Sequence, residues 1–133
     1  MRGDGFSYVA PADWTVVRKG PSVAAVNGDV NRVEVVRFML EKPYKAALFT
    51  AAAKELDGVA NRLAGQLSGK VSSSSTAELG GRKARSYTID YGGKTQEIAF
   101  VLSGRNEFQL LCRRDASATN DPCAQLFSTF AVG

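Results

Sequence analysis

Few side chains in this 133-residue chain can do chemistry, and their first property is an absence: there is no histidine. Imidazole-based triads, Cys-His dyads and histidine metal sites are thereby excluded. Two cysteines remain, Cys112 and Cys123. With two sulfurs and no imidazole they fall short of a zinc ligand set. They are either buried free thiols or a disulfide; we expect the disulfide, because each falls on an apolar face and the two faces can meet. Carboxylates are the other candidates for acid and base chemistry. Asp90 and Glu97 share one face of a predicted sheet, but they are offset from direct pairing and stand among polar neighbours, as on a solvated face. The run from Gly65 to Val71 contains a Gly69-Lys70 step like that of a phosphate-binding loop. Ala64 stands where the first glycine belongs, Val71 replaces the hydroxyl residue, and a helical pattern precedes it where a strand is required, so that reading is rejected. Arg82, Lys83, Arg85 and Arg105, with Tyr91, form a basic rim such as a nucleic-acid binder uses, yet the motif of no nucleic-acid module accompanies them. None of these groups implies a cofactor.

The elements that must position them are led by the stretch from Lys94 to Cys112. Ile98, Phe100 and Leu102 alternate with Glu97, Ala99 and Val101, and Phe108, Leu110 and Cys112 repeat the period. Period two means a strand with one apolar face. A two-residue loop Gly104-Arg105 would set Phe100 opposite Gln109, whereas a three-residue loop Gly104-Arg105-Asn106 sets Leu102 opposite Phe108 and Phe100 opposite Leu110. Requiring one wholly apolar face selects the three-residue loop, with Asn106 left-handed. Gly92-Gly93 reads as a two-residue turn after the strand Lys83 to Tyr91, placing Tyr87 opposite Ile98. The other face then keeps Ala99, Val101 and Leu111 among polar residues, a patch to be covered by a helix or offered to a partner.

Upstream, Phe6 and Tyr8, then Trp14 and Val16, flank Pro11-Ala12-Asp13 as strand, turn, strand. Ser22 to Val26 is a third strand, and Asn27-Gly28 turns the chain into Arg32 to Leu40. There the apolar phase slips from Val33 and Val35 to Val36, Phe38 and Leu40, which means a bulge or a strand covered on both faces. From Tyr44 to Leu67 the period becomes helical, with Tyr44, Leu48, Ala52, Leu56, Val59, Leu63 and Leu67 on one core-facing stripe and Pro43 in the first turn. Its 24 residues would extend about 36 Å. Lys70 to Glu78 is a polar edge strand or loop. Asp121 is a predicted cap for a terminal helix with Pro122 at its first position and the stripe Cys123, Leu126, Phe127 and Phe130.

The length and a hydrophobic fraction of 44% fit a single domain over residues 1–133. No run of eighteen apolar residues spans a membrane. A net charge of +4, dispersed in short clusters, identifies no partner. Strand-like sequence begins at Gly5-Phe6, and so abrupt a start fits an exported precursor trimmed at its amino end, with Met1 added.

The opening Phe6-x-Tyr8-x-x-Pro11-x-x-Trp14, the entry Gly81-x-x-Ala84-x-x-Tyr87 into a strand, and the terminal helix with Phe127 and Phe130 together resemble the PsbP-like superfamily. That group includes photosystem II extrinsic proteins, a nuclear Ran-GTP release factor and bacterial secreted lipoprotein domains. The resemblance implies an α+β fold, an antiparallel sheet flanked by helices as an α/β/α sandwich, and a non-catalytic binding or assembly role. Metal-linked histidines of the photosystem branch have no counterpart here, and the cysteine pair points to the exported bacterial branch. The expected function is therefore an extracytoplasmic binding or scaffold domain for a protein or small ligand, not an enzyme, meeting a membrane only through an anchor outside this sequence. The alternatives are a small-ligand carrier and a carboxylate-dependent hydrolase.

Overall fold

Alternating and near-continuous apolar runs fold here into strands whose two faces are both buried, and that property sets the architecture. The computed structural model describes residues 1–133. In chain order the elements are β1 (Arg2–Gly3), β2 (Phe6–Ser7), β3 (Thr15–Lys19), β4 (Ser22–Asn27), β5 (Asn31–Met39), a 3-10 turn (Ala46–Leu48), α1 (Phe49–Gln66), β6 (Lys70–Leu79), β7 (Arg82–Tyr91), β8 (Lys94–Ser103), β9 (Asn106–Asp115), α2 (Asp121–Thr129) and β10 (Ala131–Val132). Seven strands form one antiparallel sheet in the order β3-β4-β5-β9-β8-β7-β6, and β1, β2 and β10 form a small second sheet. Two meanders, β3 to β5 and β6 to β9, thus meet along β5 and β9.

One apolar cluster joins Val33, Val35, Ala99, Val101, Phe108, Leu110 and Cys112 of the sheet to Cys123, Leu126 and Phe130 of the terminal helix, with Phe6 and Tyr8 from the start of the chain. The other joins Tyr87, Ile89, Ile98 and Phe100 to Leu56, Ala60 and Ala64 of α1. Successive strand residues point to opposite faces, so the clusters lie on opposite sides of the sheet. α1 contacts β6 and β7, and α2 contacts β5 and β9. Neither helix spans the seven strands. The fold is α+β, a mostly antiparallel sheet with two helices.

The register of β7 against β8 is the expected one, with Tyr87 opposite Ile98 and Tyr91 opposite Lys94 across Gly92-Gly93. The β8–β9 turn differs from expectation. Ser103 pairs with Asn106, leaving the two-residue loop Gly104-Arg105, and Phe100 lies opposite Gln109. Gly104, at φ 59°, takes the left-handed position assigned to Asn106. Phe100 and Leu110 consequently face opposite sides. The reason is that both faces are covered, so a rule demanding one apolar face chooses the wrong loop. The patch Ala99, Val101 and Leu111 is corrected with it: Ala99 and Val101 are fully buried against the α2-side cluster, while Leu111 lies on the other face beside the α1 cluster. They form no common surface.

β5 pairs without a break on both sides, so the slip at Val35-Val36 is a strand with apolar residues on both faces and not a bulge. α1 begins at Phe49, five residues later than expected, and its 18 residues extend about 27 Å. Lys70 to Leu79 is an edge strand with an irregularity between Val71 and Ser73, and Ser72 to Thr76 are exposed. Asn120 occupies the cap position of α2 and Asp121 falls in its first turn.

Candidate functional site

Apolar residues are left open at the start of α1. After β5 the chain crosses the β8–β9 turn and is pinned there: the Leu40 N–H donates to the Arg105 carbonyl at 2.7 Å and the Tyr44 N–H to the Gly104 carbonyl at 2.6 Å. Arg105 Nη2 donates in return to the carbonyls of Leu40 and Glu41 at 3.3 and 3.2 Å. This strap holds Tyr44 away from the body of α1. The result is a groove of about 360 Å³ between the strap, the first turns of α1 and the ends of β8 and β9. Leu40, Tyr44, Leu48, Leu56, Val59 and Leu102 supply most of its lining, with Lys42, Glu55 and Glu107 among them. Leu48, in the 3-10 turn that leads into α1, is 51% exposed and leaves its side chain at the mouth of this groove. The Gln109 amide donates to the Glu107 carboxylate at 2.8 Å.

A second cavity, of about 320 Å³, shares Tyr44 and Leu102 with the groove and is otherwise lined by Ala46, Gly81, Arg82, Lys83, Ser103 and Gly104. Lys83 Nζ lies 5.3 Å from the centre of the Phe49 ring, which draws the ammonium toward the beginning of α1. Arg82 and Lys83 make no ion pair, whereas Arg32, Arg37, Arg85 and Arg114 each have one.

The basic rim read from the sequence is divided by the fold. Arg82 and Lys83 line this cavity, and Arg105 is bound up in the strap. Arg85 turns onto the α1 face, where Nη2 and Nε donate to Asp57 Oδ1 of α1 at 2.9 and 3.2 Å and Nη1 donates to Thr76 Oγ1 at 3.2 Å. The Tyr87 hydroxyl donates to the same Asp57 oxygen. That bond, with the guanidinium, holds the Asp57 carboxyl below its ordinary value; burial, and then the hydrogen bond to Asp57, push the Tyr87 phenol up to about 12. Tyr91 is distant from the others in the chain fold, under Lys94 Nζ at 5.8 Å, beside the Gly92-Gly93 turn.

The two carboxylates singled out by sequence do share a face. Glu97 lies opposite Thr88 and Asp90 opposite Thr95, whose hydroxyl donates to Asp90 Oδ1 at 3.0 Å. Glu97 is 3.7 Å from Arg114, and burial raises its carboxyl above the ordinary range despite that charge. Glu55 and Glu107, which share the groove, carried no signal in the sequence: one lies on a helix face beside its apolar stripe, the other on a strand whose neighbours are apolar. Leu48 and Leu56 both read in the sequence as core-facing stripe residues; Leu56 is buried in the α1-side cluster, whereas Leu48 is exposed. No three His, Cys, Asp or Glu side chains gather as a metal site requires.

Cys112 and Cys123 are bonded, with Cα atoms 5.4 Å apart, and both are buried between β9 and α2. No helix is long and apolar enough to cross a membrane.

No model of a known protein family matches the chain, and no curated protein matches it in sequence. In three dimensions it is similar to a protein from Bacteroides thetaiotaomicron VPI-5482, whose crystal structure was determined at 1.50 Å, with a TM-score of 0.65 and 17% identity over 96% of this chain. The match covers 45% of that protein, so the present chain spans less than half its length, and the likeness at this identity is one of fold alone.

Proposed function

We propose that this chain is a non-catalytic, extracytoplasmic binding domain whose ligand seat is the groove at the start of α1. The observation that carries the reading is the groove itself, an open apolar concavity of about 360 Å³ in the range of small-ligand sites. The buried Cys112–Cys123 disulfide supports an oxidising compartment. A helix against each side of the sheet supports the three-layered arrangement of the PsbP-like superfamily. The test is a neutral environment-sensitive probe, N-phenyl-1-naphthylamine. Its fluorescence is expected to rise saturably with the protein and to lose that rise in Leu48→Asp, with unchanged circular dichroism; an undiminished rise in the variant removes the groove from the reading. For the compartment, a thiol titration of denatured, unreduced protein is expected to find none, and two titratable thiols would count against an oxidising site of maturation.

A carboxylate-dependent hydrolase is favoured by one observation, that Glu55 and Glu107 line the same groove. Turnover in a broad hydrolase screen that disappears in Glu107→Gln would put this reading first.

A further inference from the structure

Two cavities of opposite character share a wall. The groove is mainly apolar and its acids are Glu55 and Glu107, while the adjoining cavity presents Arg82 and Lys83 with no acid in its lining. Neither of those cations has an ion pair, although Glu78 of β6 stands opposite Lys83 in the register; Lys83 lies over the Phe49 ring, and the first turn of α1 there carries no acidic residue. Tyr44 lines both cavities, and its hydroxyl has no hydrogen-bond partner within the protein. Arg82 and Lys83 are consecutive on β7 and start from opposite faces of the strand, yet both line this cavity at the strand's end; with Tyr44 they give it a cationic, hydrogen-bonding wall next to an apolar channel, complementary to a single-chain amphiphile with an anionic head. A groove of about 360 Å³ accommodates one alkyl chain of drug-like bulk and not the paired chains of a diacyl lipid. Glu55 and Glu107 disfavour the reverse orientation, since an anionic head in the groove would meet two carboxylates against the single ammonium of Lys42.

We propose that the two cavities together seat one fatty acid of about twelve carbons, its alkyl chain along Leu48, Leu56 and Leu102 and its carboxylate toward Arg82 and Lys83 beside Tyr44. This rests on the groove being the binding seat and adds the class of ligand. The experiment is calorimetric titration of the intact protein, below the micelle-forming concentration, with dodecanoate, dodecylammonium, dodecyl maltoside and a lysophosphatidylglycerol. Dodecanoate is expected to bind one to one and at least roughly tenfold more tightly than dodecylammonium or the neutral maltoside. The double variant Arg82→Glu, Lys83→Glu, whose side chains are exposed, is expected to erase that preference while still binding the neutral naphthylamine probe. Equal affinity for the three head groups, or a preference that survives the double variant, overturns the fatty-acid assignment and leaves the groove as a seat. Tighter binding of the lysophosphatidylglycerol than of dodecanoate also overturns it, in favour of a phospholipid source. Failure of the naphthylamine probe to bind defeats the groove and this inference together.

Discussion

At the scale of single residues, the most consequential contact outside the core is the one Asp57 makes with Tyr87 and Arg85. α1 has no side-chain cap at its start and no basic residue in its last turn, so its ends contribute little. Mid-helix, Asp57 accepts from the Tyr87 hydroxyl and from Arg85, whose guanidinium also stacks on the Tyr87 ring at 5.4 Å. Tyr87→Phe removes the donor and keeps the ring, and is expected to cost about 1 kcal/mol in urea denaturation. A second consequence follows from its titration. The folded-state phenol is pushed up to about 12 from an ordinary value of 10.0, so the unfolded chain loses its proton first. Its stabilising contribution is intact below pH 10 and is lost as pH rises from 10 toward 12. Tyr8, also buried and raised by burial, adds to the same alkaline loss while donating to the Val23 carbonyl at 2.7 Å. Tyr87→Phe should therefore show a shallower fall in stability than the native chain over this window; an identical fall assigns the alkaline loss to other groups. Tyr87 was legible in the sequence as a core-facing strand residue, but its partner was not, because Asp57 sits 30 positions away on a helix and only docking brings them together.

At the scale of elements, the β8–β9 hairpin separates what alternation can decide from what it cannot. For β7 against β8 the Gly92-Gly93 dipeptide fixes the loop, and the register follows from turn chemistry alone. For β8 against β9 the stretch Ile98-Ala99-Phe100-Val101-Leu102 is buried at every position. A strand covered on both faces reads as a continuous apolar run, so pattern carries no register information. Two substitutions distinguish the loops. Gly104→Ala forces a Cβ into a left-handed position at φ 59° and is expected to destabilise by about 1 kcal/mol. Asn106→Gly would be neutral or stabilising if Asn106 were left-handed, but it pairs with Ser103 as a strand residue and is expected to lose stability instead. Stabilisation by Asn106→Gly would reinstate the three-residue loop. On α1, Gly58 and Gly65 open onto empty space with ordinary helical backbone, so Gly58→Ala is expected to raise stability by up to about 1 kcal/mol. Gly69 behaves oppositely: a Cβ there would stand 2.5 Å from the Asp90 carbonyl oxygen and 2.7 Å from Tyr91 Cβ, and Gly69→Ala should destabilise clearly in the same thermal melts.

At the scale of the whole molecule, the sheet separates two apolar clusters, one packed with α1 and the other with α2 and the small second sheet. The stripe Cys123, Leu126, Phe127 and Phe130 and the pairing of the cysteines were readable because a helix period next to a proline leaves one face to bury; which face of the sheet received each helix was not, since that depends on the hairpin register. The partition gives the disulfide a local reach. α2 has only nine residues, too few to persist alone, and is held by burial of Cys123 and Leu126 and by the bond to β9. That bond closes a loop of eleven positions and is expected to contribute about 3 kcal/mol. Against a typical total of about 5–15 kcal/mol, its loss leaves the domain folded with a markedly lower melting temperature. The groove stands on the other side of the partition, built by α1, the strap and the ends of β8 and β9. Reduced protein, and a Cys112→Ala, Cys123→Ala variant, should accordingly melt earlier yet bind the naphthylamine probe at 15 °C with the native affinity. Were probe binding to vanish with the disulfide while circular dichroism persists, the two faces would be coupled through the sheet, and the groove would depend on α2 as much as on α1.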